Sequence, residues 1–335
     1  MSAELGPGRA VVDPLRRAMY HWDADGVRSA LASSFTDDAQ VRLGHPFEDL
    51  DGARGLFDVA LGPLSTAWPD LERRDHIVIE GTSHRGDLIV GCCGHYSGTF
   101  VEPWLGIPPT RRPAAMRFHE FYRVEDGRIV EMQALWDLPE VMIQAAVWPM
   151  GPSLGREWHV PGPATSDGLG PHDDTRSEPS MQLVLDMLSD MKRHPTEPVE
   201  TMQLERYWSP SMSWYGPSGI GTARGIDGFR RHHQIPFLSG MPDRRGKDDD
   251  EHFFSQGNYV AVTGWPNMQM TLTGDGWMGI APADRPLTLR SLDFWRLETA
   301  SDDGLIIREN WVLIDLLNAW HQLGVDVLAR MRELA

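Results

Sequence analysis

The sequence predicts an α+β protein built twice: two tandem units, each with helices at its N-terminal end and then long strands forming a curved antiparallel sheet around them. Three observations carry this. First, blocks recur at one spacing. Pro69 and Asp70 return as Pro242 and Asp243, "WLGI" at 104–107 returns as "WMGI" at 277–280, and "RFHEFYR" at 117–123 returns as "RSLDFWR" at 290–296, with 242 − 69 = 277 − 104 = 290 − 117 = 173. Matches at a constant offset mark an internal repeat. Second, residues 151–179 are rich in Gly, Pro, Ser and Asp and lack apolar periodicity, the composition of a linker or strap. Third, helical periodicity precedes strand-like runs in each copy, the order of an α+β unit. The expected domains are 11–150 and 180–335, with 151–179 between them.

Each copy opens on a helix. Leu15, Met19 and Trp22, then Val27 and Leu31, recur at helical spacing, as do Met181, Leu185 and Leu188, then Leu204, Tyr207 and Trp208. A short extended piece follows ("AQVRLGHPF", "SMSWYGPSG"), then a second helix after "GARG" or "TARG". Four strand-like runs complete the first copy: "DHIVIEG", "DLIVGCCGHYSGTF", "AAMRFHEFYRV" and "RIVEMQALW". The second supplies "EHFFSQG", "NYVAVTGWPNMQMTL", "LTLRSLDFWRLE" and "LIIRENWVLI". "WLGIPPTRRP" and "WMGIAPADRP" fall between two long strands, where Gly and Pro enforce a turn. A turn alone does not explain the repeated Trp.

A chain of 335 residues, 41% hydrophobic, has material for two ordinary cores. Lys and Arg total 31 against 48 Asp and Glu, a formal charge of −17, so no broad positive field attracts nucleic acid or anionic lipid. The N-terminal stretch lacks a basic region followed by an apolar run, and nothing approaches the roughly 20 apolar residues that span a bilayer. The expectation is a cytoplasmic protein without membrane or nucleic-acid partners. Cys92 and Cys93 read as small buried apolar residues, because adjacent cysteines rarely close on each other.

The motifs resemble the SnoaL-like polyketide cyclases of the NTF2-like superfamily. That family carries Pro-Asp-Leu after the second helix, as at Pro69, Asp70 and Leu71, then Gly-Ile-Pro-Pro-Thr, as at 106–110. A strand ending near Phe-Arg follows (Tyr122 and Arg123; Trp295 and Arg296), and then Asp-Gly-Lys-Ile-x-Glu, matched by "DGRIVE" at 126–131. The second copy closes similarly, with one residue inserted after Gly304. The resemblance covers nearly all of both copies. It implies two tandem NTF2-like cone-shaped α+β barrels, each holding a small molecule, with no cofactor and no metal. It also implies packing through the outer sheet face, here as an intramolecular pseudo-dimer that a further homodimer would extend. The family's acid/base Asp, on the last strand, falls at Ala134 and Val312, so its chemistry would need another carboxylate or a histidine here.

Alternate residues of a cone-lining strand face inward. Glu120 aligns with Asp293, both mid-strand among aromatic residues. A buried carboxylate with a raised pKa suits proton transfer near neutral pH; a solvated face or a structural hydrogen bond is the alternative. Asp137 and Asp315 align at the start of the last helix, where an N-cap is the competing reading. His45, in "RLGHPF", is a candidate base that Glu120 would orient. Candidates to line the cavities are Trp22, Trp104, His119, Trp214, Tyr215, His232, His233, Trp277 and Trp311. "KDDDEH" at 247–252 reads as a solvated loop, and no phosphate-binding loop or serine elbow appears. The leading expectation is a cofactor-independent cyclase, isomerase or dehydratase acting on a small, largely apolar carbonyl compound. The alternative is a ligand-binding or interaction protein without turnover.

Overall fold

The computed structural model describes residues 5–194, 196–247, 251–300 and 304–334. The chain divides into two compact units. The first comprises Met1–Pro149, Pro161–Pro171 and Asp326–Ala335, the second Met150–Val160 and His172–Val325.

The first unit opens on helices Pro7–Tyr20 and Ala24–Ser34. Val12, Leu15 and Met19 form the buried stripe of the first, and the Asp23 side chain caps the second by accepting from Gly26 N–H. Strands β1 (Phe35–Leu43) and β2 (Glu48–Leu50) precede a helical run, Gly52–Ala67, whose middle turns are π-helical. Strands β3 (Glu72–Thr82), β4 (Leu88–Thr99), β5 (Pro113–Glu125) and β6 (Arg128–Trp136) follow, then helix Leu138–Gln144. The sheet order is β2-β1-β6-β5-β4-β3. All neighbours are antiparallel except β1 and β6, which run parallel. The expected barrel is corrected in one respect: the sheet is curved but not closed, with β2 and β3 as edges. Part of the strap covers the β3 edge, where Val78 N–H donates to Gly168 O.

The second unit repeats the order with its long strands interrupted. Helices Ser177–Lys192 and Leu204–Tyr207 lead to β7 (Trp208–Tyr215), β8 (Thr222–Arg224) and a helical run, Gly225–Gly240, again π-helical in the middle. Trp208, expected on a helix, opens β7 instead. The counterpart of β3 splits into β9 (Arg245–Gly246) and β10 (His252–Gln256). That of β4 splits into β11 (Tyr259–Thr263) and β12 (Met268–Leu272), and that of β5 into β13 (Arg285–Leu289) and β14 (Ser291–Thr299). Strand β15 (Leu305–Ile314) and helix Leu316–Gln322 complete the plan. The result is a six-stranded sheet, β10-β11-β14-β15-β7-β8, and a separate three-stranded one, β13-β12-β9. Pro266 stands in the break and has no N–H for a ladder, while Asn267 Nδ2 donates to Ser291 O across it. Of the acidic run at 247–252, residues 248–250 lie outside the described residues.

The repeated tryptophan phrase builds one turn twice. Trp104 and Ile107 exchange backbone hydrogen bonds, as do Trp277 and Ile280. The residues between have positive φ in both copies, 51° and 81° at Leu105 and Gly106, 53° and 81° at Met278 and Gly279, the conformation of a type I′ turn. The Pro-Asp motif is structural too: Asp70 accepts from Thr99 N–H at 2.5 Å, and Asp243 from Thr271 N–H at 2.8 Å. The last helix, Val327–Arg332, belongs to the first unit. Among the described residues no helix is long and apolar enough to cross a membrane.

Candidate functional site

The second unit holds a partly open cavity of about 190 Å³. Helix Ser177–Lys192 contributes Met187 and Met191, the helical run Gly225–Gly240 contributes Phe229, His233 and Phe237, and the sheet supplies the rest. The strand period selects which side chains enter. Trp214 of β7 enters and Tyr215 does not; Ser291, Asp293 and Trp295 of β14 enter; Asn310, Val312 and Ile314 of β15 enter and Trp311 does not. Gly246, Asn267, Met268 and Ser291 all flank the sheet break, so the interruption of the strands is what opens the space. An apolar cavity of about 150 Å³ takes up benzene, which sizes this one for a single substituted ring.

Asp293 is a carboxylate on the cavity wall with a strongly displaced titration. Ser291 Oγ donates to it at 2.6 Å, and among the described residues no cation pairs with it. Burial pushes its pKa up to about 7, against the smaller opposing pull of the Ser291 bond. His233 lies flat on Trp214, ring centroids 4.1 Å apart at 17°, with Phe237 at 5.5 Å and 25°. Burial drives its imidazole down to about 3, helped by the charge of Arg244, so it is neutral at physiological pH. His233 Nδ1, Gln234 Oε1, Asn267 Oδ1 and the indole N–H groups of Trp208 and Trp295 are buried with no partner in the protein. All five belong to residues that line the cavity.

The corresponding place in the first unit is filled. Glu120 accepts four hydrogen bonds: at one oxygen from Tyr96 Oη (2.7 Å) and Trp136 Nε1 (3.1 Å), at the other from Arg73 Nη1 (2.6 Å) and Tyr122 Oη (2.6 Å). A carboxylate offers about four lone-pair positions, and all are taken. Arg73 also bonds Asp75, which Arg16 holds from the other side. Burial alone would raise the pKa of Asp75, but Arg73 and Arg16 outweigh it and hold the carboxyl below its usual range. Strand register shows why the copies differ. Glu120 lies opposite Ala134 and Asp293 opposite Val312; Arg73 lies opposite Tyr96 and Gly246 opposite Met268. The four donors Arg73, Tyr96, Tyr122 and Trp136 therefore become Gly246, Met268, Trp295 and Ile314, all on the cavity wall. Asp293, without those donors, keeps a single hydrogen bond and has the raised pKa, and the cavity lies where the donors stand in the first unit.

The expected sites sort accordingly. The cavity brings together Asp293, Trp214 and His233. The expected base at Glu120 is corrected, because no lone pair remains, and so is its pairing with His45, whose Nδ1 stands 3.1 Å from Glu48. Asp137 and Asp315 stand at the N-cap positions of helices Leu138–Gln144 and Leu316–Gln322, where the Asp315 side chain accepts from Asn318 N–H, and they pair with Arg117 (2.6 Å) and Arg290 (3.2 Å), the same ion pair in each copy; neither lines the cavity. Trp22 stacks on Phe57, and His119 is buried on the sheet face opposite Glu120. Tyr215 bonds Glu309 and tilts against Trp311 behind the cavity. His232, next to His233, does not line it. Trp104 packs on Phe47 and Trp136, and Trp277 supports Phe237 edge-on, so the repeated tryptophans back the interiors without closing them. Cys92 and Cys93 are buried, and burial raises the Cys92 thiol to about 12, far from a reactive thiolate. Sequence reasoning missed Arg244, Gln234, Asn267 and Trp295. One of these left a signal: the second copy reads "PDR" where the motif has Pro-Asp-Leu.

No curated protein matches the chain. Solved structures resemble it over one unit's length. IdmH of Streptomyces antibioticus, titled a candidate polyketide cyclase, is 22% identical over 42% of this chain and 99% of its own, with a TM-score of 0.36. A candidate SnoaL-like polyketide cyclase of Jannaschia species CCS1 is 21% identical, over 44% and 98%, TM-score 0.36. AclR of Streptomyces galilaeus, titled a candidate hydroxylase, is 17% identical, over 43% and 87%, TM-score 0.36. The family model of the SnoaL-like polyketide cyclases matches residues 10–145. The match thus falls on the first of the two copies and spans nearly all of it.

Proposed function

We propose that the second unit is a cofactor-independent proton-transfer enzyme for a small, largely apolar carbonyl compound, and that the first unit is its non-reacting copy. The carrying observation is the Asp293 carboxyl, poised near pH 7 on an apolar wall with a single hydrogen bond. As carboxylate it takes a proton from the carbon next to the substrate carbonyl. The C–H pair becomes the C=C bond of an enolate, and the carbonyl π pair moves to oxygen. The unpartnered indole N–H groups of Trp208 and Trp295 are the donors at hand for that oxyanion. Asp293 then returns the proton, to carbon or to oxygen, which completes an isomerisation or prepares an aldol ring closure. The place where the family's acid/base Asp would fall is Val312, and Val312 is the direct cross-strand partner of Asp293. Directly opposed side chains stand about 5 Å apart, so the carboxylate has changed strands while serving the same space.

A second reading, binding without turnover, draws on that same missing Asp. The two are separated by proton NMR of aryl ketones and 2-oxo acids incubated with the whole protein in D2O. Exchange of the hydrogens next to the carbonyl above the uncatalysed rate is expected. Asp293→Asn should lower it ~100-fold or more, the usual weight of a general base. The rate should climb as pH rises through about 7, because the base acts deprotonated. Exchange unchanged in Asp293→Asn leaves the binding reading.

A further inference from the structure

Arg244 is the cavity's unexplained charge. At the same place in the first unit stands Leu71, an ordinary core residue 2% exposed, since Pro69-Asp70-Leu71 aligns with Pro242-Asp243-Arg244. The guanidinium lines the cavity with Met187, Met191 and Phe253. Its one hydrogen bond runs from Nη2 to the carbonyl oxygen of Met191 at 3.0 Å, and among the described residues no carboxylate pairs with it. Neighbouring Asp243 is engaged elsewhere, on Thr271. The other charged groups on the wall, Lys192 and Glu251, have partners of their own. Burial pushes the pKa of Arg244 down without any acid to compensate.

Three buried arginines of this protein come with carboxylates, Arg73 with Glu120 and Asp75, Arg117 with Asp137, Arg296 with Glu309, whereas among the described residues the guanidinium of Arg9 meets only the carbonyl oxygens of Leu169 and Gly170 and faces no cavity; Arg244, half-buried, is the one of these that lines the second unit's cavity. Desolvating a guanidinium is expensive unless an anion meets it. We infer that the anion comes with the ligand: the second unit's cavity takes a single-ring compound carrying a carboxylate, which the Arg244 guanidinium receives while the enolisable carbon lies toward Asp293. A planar carboxylate matches the guanidinium fork with two parallel bonds. The cavity then recognises both ends of its guest, the ring on Trp214, Phe229 and Phe237 and the acid on Arg244. This rests on reading the cavity as a ligand site but not on turnover there, so its test uses probes that do not react.

Isothermal titration of the whole protein with 3-phenylpropanoate and with 3-phenylpropanamide supplies the test. The acid should bind about ten-fold more tightly than the amide, as a charge-assisted pair replaces a neutral contact. Arg244→Leu should remove that preference, and Arg244→Lys should keep part of it. Asp293→Asn should keep or increase the preference, because it removes a like charge from the wall, so a failure of proton transfer and a failure of this inference are separate outcomes. Thermal denaturation of Arg244→Leu guards against misfolding. Its Tm should equal or exceed that of the parent, because a half-buried cation with no carboxylate partner among the described residues is replaced by the residue the first unit packs there. Equal affinity for acid and amide, no binding of either, a preference that survives Arg244→Leu, or a lowered Tm in that variant each overturns the inference.

Discussion

At the level of single side chains, the two units offer a controlled comparison, one carboxylate with four donors and one with a single hydroxyl. The linkage signs follow. The pKa of Asp293 is raised in the folded state, to about 7 from 3.8, so the folded protein holds its proton more tightly than the unfolded chain. Stability is unaffected below about pH 3.8, falls as pH rises through that interval, and is lowest above 7, by a few kcal/mol at most. Asp293→Asn removes the penalty, so its Tm should exceed the parent's clearly at pH 8 and hardly at pH 4. Calorimetry at the two pH values checks this. Glu120→Gln breaks a buried pair and should cost ~3–5 kcal/mol while leaving proton exchange unchanged. The pairing of Glu120 with Asp293 was legible in the repeat. Their opposite fates were not, because Arg73 reaches Glu120 across 47 residues of sequence, and only strand register reveals that Gly246 takes its place.

Among elements, helices and strands followed the periodicity closely, since apolar spacing reports the buried face directly. The failure came in the second copy, where "NYVAVTGWPNMQMTL" and "LTLRSLDFWRLE" read as continuous strands and are each broken in two. Local pattern continued across the gap, and the Trp265-Pro266 pair was the one hint that pairing must stop. The repeated turn allows a sharper check. At Gly106, with φ 81°, the nearest atoms to an added Cβ are 3.6 Å away, so space is adequate and only backbone conformation opposes a side chain. Gly106→Ala should cost about 1–2 kcal/mol, the penalty of a left-handed backbone for an L-residue. A lowered urea midpoint at constant m-value would be the signature.

For the molecule as a whole, duplication has allowed one interior to be filled and the other emptied. Composition and charge indicated two cores and no polyanion partner, but no compositional signal said which copy kept a cavity. Neither did the sequence disclose that the final helix, with Val327, Leu328 and Met331 buried, belongs to the first unit. Met331 and Arg332 lie against Gly106 of the "WLGI" turn. Deleting residues 326–335 should therefore weaken the first unit by several kcal/mol, at about 1.5–3 kcal/mol for each apolar side chain uncovered. Hydrogen exchange should then accelerate in β4 and β5 and not in β14 and β15.

That closing helix also sets an order of assembly. A ribosome emits the polypeptide from its amino end, and domains generally fold as they emerge. Here the earlier-made half lacks the Met331 and Arg332 cover over Gly106 until more than two hundred further residues have been threaded out. The half synthesised first is the half finished last.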